Sequence, residues 1–357
     1  MRRPLIFLGL LFLATGFMYQ ITGPWQFSTI KAAVLESVVA KTVPKTETLT
    51  IAWVGDMVPP ESEAYAAGAL TTVATPLTDA DITLGNLEGT FATSSTGSKC
   101  GTGSSNCHAF RGTPTFASIL KTTGFDAVSL ANNHSLDFGE KGLGETETVL
   151  AKAALPFVSS RQPVTYIAKN GFTIGLVGIS STPPQETITD YDFIQKKVSE
   201  AKAKSDLVLV LFHGGAEGSD KLLVPNGYEY LGNENRGFVR RAAQVAIDAG
   251  ADGVLGSGPH VLRGIELYHG KPIAYSLGNF VGSEKLITKG VLATSGILKI
   301  TFAKDGTFID GEVVPVTLDK AGVPHLDVAQ AALALVAKLS QQNFGETGAL
   351  FTGNLFK

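Results

Sequence analysis

The sequence predicts an α/β layered fold, and two observations carry the expectation. Apolar runs of strand length alternate with segments of helical periodicity between residues 49 and 249, and beyond Gly250 the pattern changes to tight turns and longer strand-like runs. With 357 residues, 44% of them hydrophobic, the chain can bury the core of one large domain or two ordinary ones.

At the N-terminus, Arg2 and Arg3 precede an apolar run, and no charge recurs until Lys31. Residues 1–30 are therefore expected to be a targeting segment. Its apolar stretch is short against the roughly 20 residues of a membrane span, reaching ~17 if it runs to Ile21. No Ala-x-Ala cleavage site follows, which favours an uncleaved anchor over a removed signal peptide. The positive-inside bias then places the rest of the chain outside the cytoplasm, membrane-anchored or, if the signal is cleaved, secreted. Residues 31–48 lack periodicity and read as a linker.

The folded part is expected over 49–318. Strands buried on both faces are predicted at 49–54, 81–84, 127–130, 174–179 and 207–212, with helices at 114–123, 142–154, 191–203 and 235–249. This β-α-β-α order implies much parallel or mixed sheet. Residues 261–268 and 272–276 read as a hairpin turning at His269-Gly270, and 290–302 with 307–318 as longer antiparallel strands, so that a second sheet closes over the first. Residues 319–357 are expected to hold a helix at 327–339 and a loosely held tail after Gln341.

Polar motifs end the apolar runs: Gly55-Asp56, Asn86-Leu87-Glu88, Asn132-Asn133-His134 with Asp137, His213 with Glu217, and Ser257 through His260. Strand carboxyl ends are where open α/β sheets bind ligands. In extended backbone Asn86 and Glu88 share one side, so both oxygens can reach one ion. Taken alone, Asp56 equally suits a helix N-cap and His213 a satisfied core histidine. The segment 129–139 is the strongest signal, because two Asn, a His and an Asp at a strand exit are costly to bury without partners. An Asn oxygen there can bind a metal, His134 can protonate a leaving oxygen, and Asp137 can orient its ring. His108, His269 and His325 read as ordinary exposed histidines.

The formal charge of −3 gives no overall basic field, so nucleic acid is not an expected partner. An anionic substrate must then be held locally, by a metal or a few cations. Cys100 and Cys107 are the two cysteines. In an exported chain they suit a small disulfide that stabilises only its own loop, the other reading being two free thiols.

Together these motifs, with Gly258-Pro259-His260-Val261 and the run from Ala274 to Phe280, resemble the CapA family of capsule synthesis proteins, associated with poly-γ-glutamate, over about residues 49–318. The resemblance implies a metallo-dependent phosphatase-like fold: an α/β two-sheet sandwich flanked by helices, in α-β-β-α layers, like the calcineurin-like metallophosphoesterases. It implies metal-ligand roles for Asp56, Glu88, Asn133, His213 and His260, and a catalytic imidazole at His134. Asn86, Asn132, Glu217, Ser257 and Asn279 would complete the pocket, with Asn279 organising it from behind the second sheet. Arg111 matches a recurring arginine, either a bidentate grip on an anion or an ordinary surface residue. Family members commonly carry histidine where this chain has Ser257, which removes one imidazole.

The expected function is a metal-dependent, phosphoesterase-like hydrolase acting on an anionic polymer or phosphoester of the cell envelope, alongside envelope biosynthesis proteins. Its cofactors would be divalent ions, manganese, zinc or iron, and up to two of them. The rival expectation is a non-catalytic protein that uses the same pocket to bind or guide a polyanion during export.

Overall fold

Strand β1 (Thr48–Met57) alternates its side chains between two apolar layers, and this alternation sets the architecture. Ile51 and Trp53 face one core while Ala52 and Val54 face another, as a sheet covered on both sides requires. The computed structural model describes residues 47–93, 97–100, 107–182 and 187–357. The segment expected as an anchor, and nearly all of the linker, lie outside the described residues. Among the described residues no helix is long and apolar enough to cross a membrane.

From β1 the chain builds parallel strands β2 (Ile82–Leu87), β3 (Phe125–Ser129) and β4 (Phe157–Val158). It then crosses to a second sheet, made of β5 (Val164–Lys169), β6 (Phe172–Ser180) and β7 (Leu207–His213). A separate hairpin, β8 (Glu229–Leu231) and β9 (Glu234–Gly237), interrupts this sheet. The sheet resumes with β10 (Gly253–Ser257), β11 (Ile265–Tyr268) and β12 (Lys271–Ala274) in the order β11-β12-β10-β7-β6-β5.

The chain finally returns to the first sheet. Strand β13 (Asn279–Val281) pairs parallel with β1, and β14 (Thr294–Ala303) pairs antiparallel with it. Beyond them lie β15 (Phe308–Leu318), β16 (Pro324–Leu326), β17 (Phe351–Thr352) and β18 (Leu355–Phe356).

Between the sheets, Ile51, Trp53 and Leu84 pack with Leu207, Leu209, Leu211 and Leu255. Helices α1 (Glu63–Gly68), α2 (Ala74–Thr78), α3 (Thr115–Thr122) and α4 (Gly139–Lys152) cover the outer face of the first sheet through Ala66, Leu77, Phe116 and Leu143. Helices α5 (Tyr191–Lys202) and α6 (Val239–Asp248) cover the second through Ile194, Val198, Ala242 and Val245. The layers are therefore α-β-β-α, an α/β two-sheet sandwich flanked by helices. Helix α7 (Ala331–Phe344) adds Ala332 and Val336 to the core between the sheets.

Four local expectations are corrected. The long pair β14 and β15 extends the first sheet instead of forming the second, while the hairpin β11–β12 joins the second. Residues 235–237 are strand, because Gly237 at φ +93° cannot continue a right-handed helix, so α6 begins only at Val239. Helix α7 starts at Ala331, after Asp327 has accepted hydrogen bonds from the backbone of Ala329 and Ala332. The tail is held: Phe356 is buried and stacks on Phe308, and β18 pairs with β15.

Candidate metal centre

The carboxyl ends of β1, β2 and β3 in one sheet and of β7 and β10 in the other meet at one edge of the sandwich. In register, Asp56 stands opposite both Asn86 and Asn279, and Ser257 opposite His213. Gly55 permits this convergence, since a Cβ there would lie 2.0 Å from the Gly278 carbonyl oxygen. At Gly258, φ is +117° and a Cβ would press on the backbone of Gly214, which lets the chain turn so that His260, at φ +60°, faces inward.

Glu88 lies at the centre. Its side chain is fully buried, neither carboxylate oxygen has a hydrogen-bond partner among the described residues, and Oε1 is 3.9 Å from His134 Nε2, 3.7 Å from His213 Nε2 and 3.7 Å from His260 Nε2. Burial, reinforced by Asp56 and Glu217, pushes the Glu88 carboxyl well above its ordinary range. Such an orphaned carboxylate ringed by imidazoles fits a cation. One oxygen of Glu88, one of Asp56 and one nitrogen of His260 all lie within 4.8 Å of each other, a spacing that a single ion can bridge.

The remaining contacts orient these groups. His260 Nδ1 is 2.8 Å from Asn279 Oδ1 and 3.2 Å from Asp56 Oδ2, so this nitrogen is a donor, and Nε2 faces Glu88 and Glu217. Burial opposes protonation of His260, but Glu88, Asp56 and Glu217 outweigh it and push its pKa up to about 10. Burial likewise pushes the Asp56 carboxyl up, yet His260, His213 and Asn86 hold it below the ordinary range. His213, sealed in the interior, is held well below the usual imidazole range and is neutral. Its Nδ1 is 3.3 Å from Asn86 Nδ2 and 3.2 Å from Ser257 Oγ.

Asn86 donates to Asp56 Oδ1 at 2.8 Å. Asn132 in turn donates to Asn86 Oδ1 and to the Leu87 carbonyl, and accepts from the backbone N–H of His134. Both amides thus brace the site and spend their polar atoms on it. Asn133 Oδ1 is buried without a hydrogen-bond partner among the described residues. His134 Nδ1 lies 2.8 Å from Asp137 Oδ2, its ring stacks on Phe110 at 4.2 Å, and burial lowers its proton affinity against the pull of Asp137.

A cavity of about 290 Å³ opens at this centre, lined by His134, Glu217, His260 and Asn279 together with Leu286, Ile287 and Leu292. His108, expected to be ordinary, is exposed but lines the cavity. Two expectations change. Arg111 does not line the cavity, and its guanidinium lies 4.1 Å over the Phe138 ring. Asn279 belongs to β13 of the first sheet, not behind the second, and reaches His260 directly.

Sequence reasoning missed Arg236. This buried residue on β9 pairs with Glu217 at 2.7 Å and Glu234 at 3.2 Å, and its Nη2 stands 3.5 Å from His213 Nε2. A cation thus sits within the site itself. The one available signal was its place in a Gly-Asn-Glu-Asn-Arg-Gly run, which suits a hairpin better than a helix.

The chain is 31% identical over 222 residues to the PGA biosynthesis protein CapA of Bacillus subtilis (strain 168), covering 57% of this chain and 53% of that one. It is 30% identical over 182 residues to the capsule biosynthesis protein CapA of Bacillus anthracis, covering 45% of this chain and 41% of that one. It thus spans about half the length of these curated relatives. Among solved structures, a 5'-nucleotidase precursor from Thermus thermophilus overlays with a TM-score of 0.45 and 17% identity, covering 82% of this chain and 59% of that one. Residues 50–284 match the family model described as bacterial capsule synthesis protein PGA_cap, and the chain belongs to that family.

Proposed function

We propose that this protein is a metal-dependent phosphoesterase-type hydrolase that acts on an anionic cell-envelope substrate during capsule or poly-γ-glutamate synthesis. The observation that carries the reading is Glu88, a buried and unpartnered carboxylate facing three imidazole nitrogens at the strand ends. Asp56, Glu88 and His260 would hold a divalent ion, manganese, zinc or iron, with His213 and Asn133 as further ligands, and metal analysis would count one ion or two. A bound ion supplies Lewis acidity, withdrawing charge from a phosphoryl oxygen.

The protein's own groups do the rest. His134 keeps Nδ1–H on Asp137 and presents Nε2; in the imidazolium form, which the Asp137 carboxylate favours against burial, Nε2 passes its proton to the leaving oxygen and the ring returns to neutral. Arg236 balances the carboxylates and favours anionic charge near His213. The disulfide between Cys100 and Cys107 supports an extracytoplasmic location. The alternative role, guiding a polyanion without chemistry, meets a pocket in which Asp56, Glu88 and Glu217 would repel that polymer unless a cation were bound. The test is metal content of the purified chain by mass spectrometry, paired with hydrolysis of phosphomonoesters, phosphodiesters and γ-glutamyl polymers after loading. A protein that retains no divalent ion at micromolar supply, or is inert on all three substrates, contradicts the hydrolase reading.

A further inference from the structure

Cys100 and Cys107 are disulfide-bonded, with Cα atoms 5.5 Å apart, and the residues on either side of the bond land on the same carboxylate. Before it, Lys99 donates its backbone N–H to the Asp137 carbonyl at 2.7 Å. Its ammonium pairs with Asp137 Oδ1 at 2.7 Å and donates to the Asn133 carbonyl at 3.2 Å. After it, Phe110 donates its backbone N–H to Asp137 Oδ2 at 2.6 Å and stacks its ring on His134 at 4.2 Å. Asp137 Oδ2 is also the oxygen that holds His134 Nδ1.

We infer that the Cys100–Cys107 disulfide, through its stems Lys99 and Phe110, positions the His134–Asp137 pair. The expectation that the bond stabilises only its own loop takes no account of these contacts. Asp137 is fully buried and needs partners for both oxygens. Lys99 and the Phe110 N–H supply them, and the two residues flank the covalent tie between Cys100 and Cys107. Lys99 itself is more than one-third exposed, so an untethered stem would exchange its ion pair for water at little cost. The covalent tie lowers the entropy of that stem and holds the ammonium on Asp137, which fixes the carboxylate, which fixes the ring. Lys99 and Phe110 are therefore positioning residues, acting on substrate only through His134.

This inference rests on the proposed hydrolase role for its catalytic meaning, and its test separates the two. The chain contains six histidines, so selective ¹⁵N-histidine labelling of the full chain resolves each ring by NMR. Oxidised protein should show His134 with Nδ1 protonated and a single sharp pattern. Treatment with TCEP, whose phosphorus is oxidised to the phosphine oxide as the disulfide gains two electrons and two protons to become two thiols, should broaden or shift that pattern. Reoxidation should restore it. Lys99→Met should reproduce the change with the disulfide intact, and Lys99→Arg should largely reverse it. Unchanged His134 signals under reduction and in Lys99→Met would overturn the inference, whatever the activity. If metal-loaded wild type hydrolyses phosphomonoesters, reduction should slow phenyl phosphate, a poor leaving group, by roughly tenfold or more and 4-nitrophenyl phosphate much less, with KM unchanged. Equal slowing of both would also count against it. Inert wild type with a redox-sensitive His134 ring would instead remove the hydrolase reading and leave the positioning intact.

Discussion

Asn279 Oδ1 lies 2.8 Å from His260 Nδ1, and the two residues reach each other from opposite sheets: Asn279 begins β13 beside β1, while His260 follows β10. The contact fixes the ring's tautomer with Nε2 toward Glu88. Partners of this kind are typically worth roughly 10–100-fold in metal affinity. Asn279→Ala is expected to weaken divalent-ion binding within that range, measured by competition with a chromogenic chelator. Unaltered affinity would show that Asp56 alone orients the ring.

Glu88 makes the opposite kind of contribution. A buried carboxylate without hydrogen-bond partners costs stability, so Glu88→Gln should raise the melting temperature of protein stripped by chelator. The same change should abolish the stabilisation that added manganese or zinc gives to wild type. A melting temperature that falls in chelator would mean that attraction to the protonated His260 outweighs the cost of burying the Glu88 carboxylate.

Stability should also depend on pH in a definite direction. The His260 pKa of about 10 in the folded chain exceeds the ordinary imidazole value of 6.5. The folded state therefore binds more protons than the unfolded one across that interval, and the contribution is full below about pH 6.5 and lost as pH rises through about 10. Glu88, also shifted upward, adds to the same trend at lower pH. Urea unfolding in EDTA should accordingly show stability declining from pH 6 to 10. Metal binding should release protons, seen as a buffer-dependent heat in calorimetry.

How much of this was legible in the sequence follows from range of interaction. Strands such as β1 and β7 are apolar on both faces and announced themselves, and polar residues directly after them marked the site because burying them is costly. Neighbours across the sheets left no such trace. That β14 pairs with β1, or that Asn279 lies in the first sheet, depends on pairing over more than two hundred residues. Arg236 was hidden because its partners, Glu217 and His213, sit on other segments, and a helical reading of 235–249 absorbed it. The contact of Arg111 with Phe138 spans 27 positions in sequence, beyond the window in which local pattern speaks.

Arg236 offers a test of that hidden charge. It is buried, but its partners Glu217 and Glu234 are 23% and 41% exposed, so Arg236→Met should destabilise in urea unfolding by less than the about 3–5 kcal/mol that breaking a fully buried pair costs. Adding Glu217→Gln should recover part of the loss, because the stranded carboxylate is then gone. A double variant no more stable than the single one would place the effect in packing.

Ser257 marks the last test, since histidine is the residue that the family resemblance sets there. The serine is buried on β10 opposite His213, donates to the Phe212 carbonyl at 3.2 Å and lies 3.2 Å from His213 Nδ1. An imidazole in that place needs room that a hydroxymethyl group does not, and overpacking of this kind costs about 1–3 kcal/mol. Ser257→His should therefore melt lower than wild type in chelator. A new nitrogen beside His213 is also a better ligand for zinc than a hydroxyl, so zinc should raise the variant's melting temperature by more than it raises that of wild type. A smaller or equal zinc-dependent rise would mean that the added ring points away from the ion, and that the centre is complete with Asp56, Glu88, His213 and His260.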